Sequence, residues 1–257
     1  MPRFKNPPII EAWILFSFGA PPNKTAWGFE QAERFAALIR KEFSLGELFF
    51  RQEVDVEELD ESKPPRISRN ERILEKIRMT NEARTRCVQI ADEKLVFNVL
   101  TGGSNYPGFQ SLVNEALHFV KLYEQTYDCG APHSVILHYK DIVRISVPTS
   151  LTIDLEDYFT IIRDLPPEPF GNTRAFASYF QTVCPTDELP LTINVNHLPP
   201  ADGEFRFQLD WEKVCKPGDF SDRDLLRSSL SETSEFMVEC FEKSITPKTR
   251  ELFEPTS

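Results

Sequence analysis

The chain has 257 residues, 40% of them hydrophobic and 27% charged, with 29 Lys and Arg against 40 Asp and Glu and a net charge of −11. That balance excludes a disordered chain, a collagen, a coiled coil and a disulfide scaffold, and its acidity opposes non-specific binding to nucleic acid. The 20 Pro against 10 Gly weigh against folds that hold nucleotides on glycine-rich turns.

The first element is a strand at 9–18, where Ile10, Ala12, Ile14, Phe16 and Phe18 alternate with a side that includes Glu11, Trp13 and Ser17. Residues 27–43 read as a helix, with Phe29, Ala32, Phe35, Ala36, Ile39 and Phe43 on one stripe. Strands follow at 48–56, 73–79, 86–91 and 94–100, with Asp92-Glu93 as a two-residue turn. Residues 71–79 also suit a helix, since Ile73 and Ile77 are spaced i, i+4. The acidic run at 53–61 and Lys63-Pro64-Pro65-Arg66 read as a long surface loop, with docking to a basic partner as the sharper alternative.

After the loop Thr101-Gly102-Gly103-Ser104 comes a helix at 107–127, with Pro107 in its first turn and Leu112, Ala116, Leu117, Val120 and Tyr123 as its apolar stripe. The strand at 134–147 sends Val135, Leu137, Tyr139, Val143 and Ile145 one way and His138, Lys140 and Arg144 the other. Asp141 falls among the apolar set, which predicts a bulge or a paired buried carboxylate. A short helix at 155–162 and prolines at 166, 167 and 169 lead to strands at 173–183, 189–197 and 204–211, with Asp202-Gly203 as the last turn. The final long helix spans 221–243, capped by Ser221, and a last turn opens with Thr246 as cap and Pro247 after it.

Strands gathered in meanders make the class α+β. The chain reads as two β-α-β-β-β-α-like halves, 1–130 and 131–257, with antiparallel sheets covered on one face by long helices. The halves are separate domains or parts of one continuous domain. No apolar run approaches the roughly 18 residues of a membrane span, and no cleavage site follows the run at 9–18, so neither membrane insertion nor secretion is expected. Cys87, Cys129, Cys184, Cys215 and Cys240 are widely spaced with no C-x-x-C, which suits free thiols in a cytoplasm.

No phosphate-loop, dinucleotide, nucleophile-elbow or zinc-protease motif occurs, and no spacing gathers metal ligands, so no catalytic residue, metal or cofactor is assigned. The informative feature is the polar side of the strands: Glu11, Trp13, His138, Lys140, Arg144, Asn194, Arg206 and Gln208. That side is a solvated face or a binding floor, and Trp13 on it marks an interface.

The opening Asn6-Pro7-Pro8-Ile9-Ile10-Glu11-Ala12, the series Asn98, Tyr106 and Phe109, and the tail with Phe241-Glu242, Ile245-Thr246 and Glu251-Leu252-Phe253 resemble a sporadically distributed, uncharacterised bacterial family of about this length. The strand Leu137-His138-Tyr139-Lys140-Asp141-Ile142-Val143-Arg144-Ile145 is similar to that family's Leu-Arg-Tyr-x-Asn-Arg-Ile, but lacks the Asn and has extra residues before the Arg. The resemblance implies a bacterial, cytoplasmic, single-unit protein and supplies no substrate. The leading expectation is a non-catalytic component that binds a protein partner, of antitoxin, immunity or phage-defence type, with homo-oligomers also open. The alternatives are a small-molecule-binding module whose helices grip an apolar cavity, and an enzyme using His138 with Asp141 or Glu11.

Overall fold

Ala12, Ile14 and Phe16 are fully buried while the residues between them are not, the mark of a strand with one helix-covered face. The computed structural model describes residues 4, 7–20, 27–56, 67–101, 106–147, 153–162 and 176–254, without the side chains of 54–56 and 67–71. The prolines at 166–169, residues 57–66 and three residues of the 101–104 loop lie outside the described residues.

In chain order the elements are β1 (Ile9–Ser17), α1 (Phe29–Ile39), β2 (Leu45–Val56), β3 (Ile67–Thr80), β4 (Arg86–Ala91), β5 (Lys94–Leu100), α2 (Phe109–Tyr127) and β6 (Ser134–Ser146). A 3₁₀ turn (Leu155–Asp157), β7 (Ala177–Val183), β8 (Pro190–Ala201), β9 (Glu204–Val214), α3 (Arg223–Ser244) and α4 (Pro247–Glu251) follow. The strands form one antiparallel sheet in the order β2-β3-β4-β5-β1-β6-β9-β8-β7, so the fold is α+β and mostly sheet. β1 and β6, from either side of residue 130, pair directly in its middle, from Ile9 opposite Asp141 to Ser17 opposite Ser134.

α2 lies over β5 and β1, and α3 lies over β9 and β6. The Phe content fills this layer: Phe18 stacks on Tyr123 with centroids 4.6 Å apart, and Phe97 and Phe43 meet Phe119 at 5.2 and 5.4 Å. Each such side chain removed from water contributes about 1.5–3 kcal/mol, which is why these rings set where the helices sit.

Several boundaries differ from the sequence reading. α1 ends at Ile39 with Arg40 as its C-cap. Phe43 continues the apolar spacing because it is core, not because it is helical. α2 begins at Phe109, since Gly108 at φ +92° is its N-cap and Pro107 precedes the helix. The loop predicted from residue 53 is strand as far as Val56, and 71–79 is part of β3 with no helical turn. The helix predicted at 155–162 is a single 3₁₀ turn, followed by a bridge from Phe159 to Ile245. Asp222, not Ser221, caps α3, accepting from the N–H groups of Asp224 and Leu225, while Ser221 donates to Asp219. Thr246 caps α4 as expected, with Pro247 after it.

Candidate functional site

The face of the sheet opposite the helices carries a row of polar side chains crossing five strands. Gln89 on β4 donates to Asn98 Oδ1 on β5 at 3.1 Å, and Asn98 donates to Glu11 Oε1 on β1 at 2.9 Å. Lys140 Nζ on β6 donates to Glu11 Oε2 at 3.0 Å and stands 3.8 Å from Asp210 Oδ1 on β9. Gln208 donates to Asp210 Oδ2 at 2.6 Å, and His138 Nε2 lies 3.6 Å from Asp210 Oδ1. Trp13 stacks on His138, rings 4.4 Å apart and 9° from parallel, because β1 and β6 place them directly opposite. Burial works to raise the Asp210 carboxyl, but His138, Gln208 and Lys140 outweigh it and hold the group below its ordinary range.

Five of the predicted residues, Glu11, Trp13, His138, Lys140 and Gln208, therefore meet around Asp210. The other three do not join the row by a bond. Arg144 lies 3.7 Å from Glu204, Arg206 donates twice to the Pro199 carbonyl, and Asn194 stands in register opposite Asp210. His138 and Asp141 sit on opposite faces of the sheet, which removes that pair as an acid–base couple. Asp210, Asn98 and Gln89 complete the row. Alternation alone put Asp210 on this side, but only the β6/β9 register brings it to Lys140. The row alternates charge as Glu11, Lys140, Asp210, the pattern of a network that fixes strand register. Lys140→Met is expected to lower stability by about 1–3 kcal/mol, since it leaves two half-buried carboxylates uncompensated. The loss should shrink only in strong acid, as pH falls through the lowered Asp210 value, and urea unfolding from about pH 2 to 7 checks it.

The helix side holds a different arrangement. A cavity of about 740 Å³ opens between the start of α2, strands β6 and β9, and α3, with Phe109, Met237 and Phe241 among its walls. Its size lies within the range of small-molecule sites. Asp141 lines it and is only 3% exposed, because β6 keeps its alternation while β1 bulges between Ile9 and Glu11 to match. The expected bulge falls on β1 opposite Asp141 and not on β6 itself. The predicted pairing does not form, since no cation on the helix side faces Asp141 among the described residues. Burial, and secondarily the Asp210 carboxylate across the sheet, push Asp141 up to about 8, against a smaller opposing effect from the Trp211 indole.

Three further polar atoms on this cavity's walls are buried without a well-formed hydrogen bond: Tyr106 Oη, beside the Tyr139 hydroxyl, Trp211 Nε1, beside the Asp141 carboxyl, and Glu242 Oε1. The other Glu242 oxygen pairs with Arg250 at 2.7 Å, and the Tyr139 hydroxyl is satisfied by Ser234 at 2.8 Å. Gly108 belongs to the site: its φ of +92° lets the chain turn from Tyr106 into α2 at the rim, where an L side chain would be strained.

No protein-family model and no curated protein matches this chain.

Chemically, the two sites differ. The row on the helix-free face pairs most of its own charges. The cavity holds two acids, an indole N–H and two phenols, and Glu242, Trp211 and Tyr106 among them have unmet hydrogen-bonding capacity. The cysteines are free. Burial raises Cys87 above its ordinary value and Cys129, Cys215 and Cys240 to about 11, so these four are thiols at neutral pH. Among the described residues no three His, Cys, Asp or Glu side chains gather as a metal site, and no helix is long and apolar enough to cross a membrane.

Proposed function

We propose that the chain is a small-molecule-binding module whose ligand occupies the cavity between α2 and α3. The carrying observation is the convergence on one apolar cavity of buried polar atoms with no well-formed hydrogen bond, Trp211 Nε1, Tyr106 Oη and Glu242 Oε1, beside the buried Asp141. An orphaned buried polar atom costs about 1–3 kcal/mol, and a bound polar molecule recovers it. The observation favours this reading over the partner-binding one that the sequence ranked first.

Protein purified under native conditions and then denatured should release a stoichiometric small molecule, detected by mass spectrometry. Val238→Trp, which fills the cavity from α3, should release none. Equal release from both, or none from either, counts against the reading.

Binding of a protein partner on the helix-free face is the second reading, favoured by Trp13 stacked on His138 there and by exposed Tyr179 and Val183 on the edge strand β7. We also read the halves as one unit used twice: β1 and β6 adjoin at the centre, with β5 and β9, the last strand of each half, beside them. A bacterial, cytoplasmic setting and a non-catalytic, defence-associated role belong with this proposal, the former suited to free thiols.

A further inference from the structure

The charged side chains that line the cavity, among the described residues, are Asp141 and Glu242, and both are acidic. Asp141 has no basic neighbour on its side of the sheet, while Asp210 adds negative charge from behind. The walls around them include the aromatic rings of Trp211, Tyr139 and Phe241. Aromatic rings beside carboxylates in a mostly apolar cavity are the recognition chemistry of organic cations. We propose that the cavity is an ammonium site, in which an organic amine directs its charged nitrogen to Asp141 and Glu242 against these rings. The inference rests on the small-molecule reading above and names its ligand class.

The opposite polarity fits less well. Trp211 N–H, Tyr106 O–H and a neutral Asp141 carboxyl could donate to a carboxylate guest, but that guest would lie near the Glu242 carboxylate, hold Asp141 in its protonated form and have Asp210 behind the sheet. A cation instead supplies the counter-charge that Asp141 lacks and meets the free Glu242 oxygen. The indole and phenol donors then remain for an acceptor elsewhere on the same ligand.

The pairing also sets a pH dependence. The groups that act on Asp141 are Asp210 and Trp211 from β9, and the other polar walls of its cavity are Tyr139 on its own strand, Tyr106 from the approach to α2, and Glu242 from α3, whose charge Arg250 already pairs outside the cavity lining. Asp141 is protonated at neutral pH when the cavity is empty, pushed up to about 8. An ammonium guest favours the carboxylate, so its binding should release a proton near pH 7 and tighten as pH rises toward 8.

The test is calorimetric titration of phenethylamine, 2-phenylethanol and phenylacetate, which share ring and chain and differ in charge, into wild-type protein and Asp141→Asn. The amine should bind about tenfold or more tightly than the alcohol, and phenylacetate weakest. Asp141→Asn should bring the amine's affinity down to that of the alcohol measured on the same variant, and heats in two buffers should show proton release in the wild type alone. Should Asp141→Asn fail to fold by circular dichroism, Glu242→Gln carries the same comparison and should weaken the amine selectively. Equal affinities for amine and alcohol, or tightest binding of phenylacetate, overturn the ammonium assignment and leave the cavity a binding site for another class. Binding of none of the three overturns the assignment as well, and the Val238→Trp comparison then decides separately whether the cavity holds any ligand.

Discussion

Asp141→Asn should make the empty protein more stable at pH 7 and flatten its stability against pH. The unfolded-state pKa of an aspartate is about 3.9, whereas the folded group titrates at about 8. Between those values the folded state holds a proton that the unfolded state has lost, so stability falls as pH rises, by about 1.4 kcal/mol per unit. Below the lower value both states are protonated and nothing is lost. By pH 7 the accumulated penalty is on the order of 4 kcal/mol. Asparagine carries no such penalty but buries an amide with little to bond, so the net gain is on the order of 2 kcal/mol at pH 7, crosses zero between about pH 5 and 6, and is a loss of similar size near pH 4. Urea unfolding of both proteins between about pH 4 and 8 measures it. Parallel curves would mean that Asp141 ionises in the folded state as readily as in water. On the ammonium proposal, a cationic ligand that stabilises the Asp141 carboxylate offsets part of that penalty.

Asp187→Ala should be the most damaging of the single changes considered. Lys213 on β9 is 1% exposed beneath Phe236 of α3, and its ammonium donates to Asp187 Oδ2 at 2.6 Å and to the Val214 carbonyl at 3.2 Å. Asp187 stands in the turn between β7 and β8, where its other oxygen accepts from the Leu189 N–H. Deleting the carboxylate leaves a buried cation with one carbonyl, which costs about 3–5 kcal/mol. Lys213→Met removes the charge itself and leaves Asp187 near enough to water to hydrate, so its cost should be about 1 kcal/mol. The double variant should recover most of the loss of Asp187→Ala. Denaturant midpoints of the four proteins decide this, and equal losses for the two single variants would show that the pair is not acting as a unit.

The strands were legible in the sequence where alternation is strong: β8 and β9 sort apolar from polar over most of their length, β1 and β6 keep one face apolar at every second residue, and Asp141 announced itself by breaking that order. Helix ends were less legible because an apolar stripe reports burial rather than backbone state. Phe43 is core without being helical, and Pro107 resembles a first helical residue although Gly108 makes the turn. β3 was ambiguous because Ile73 and Ile77 satisfy a helical spacing, while partners on β2 and β4 decide its fate. The polar row was half legible. Its residues share a face by alternation, but Glu11 and Lys140 lie 129 residues apart and meet only through the pairing of β1 with β6. The cavity was least legible, since Tyr106, Asp141, Trp211 and Glu242 come from four segments whose meeting depends on where α2 and α3 settle on the sheet.

The chain has three methionines, Met1, Met79 and Met237. Met237 lines the cavity, whereas Met79 is buried far along the sheet on β3, with its sulfur beside Gly46. Protein labelled with ¹³C at the methionine methyls, titrated with phenethylamine and separately with a metabolite extract of the expressing cells, therefore reports directly on occupancy of the cavity. The account predicts that the Met237 methyl shifts saturably while the Met79 methyl stays fixed. A Met237 signal that stays still in both titrations, or moves no more than that of Met79, would contradict it.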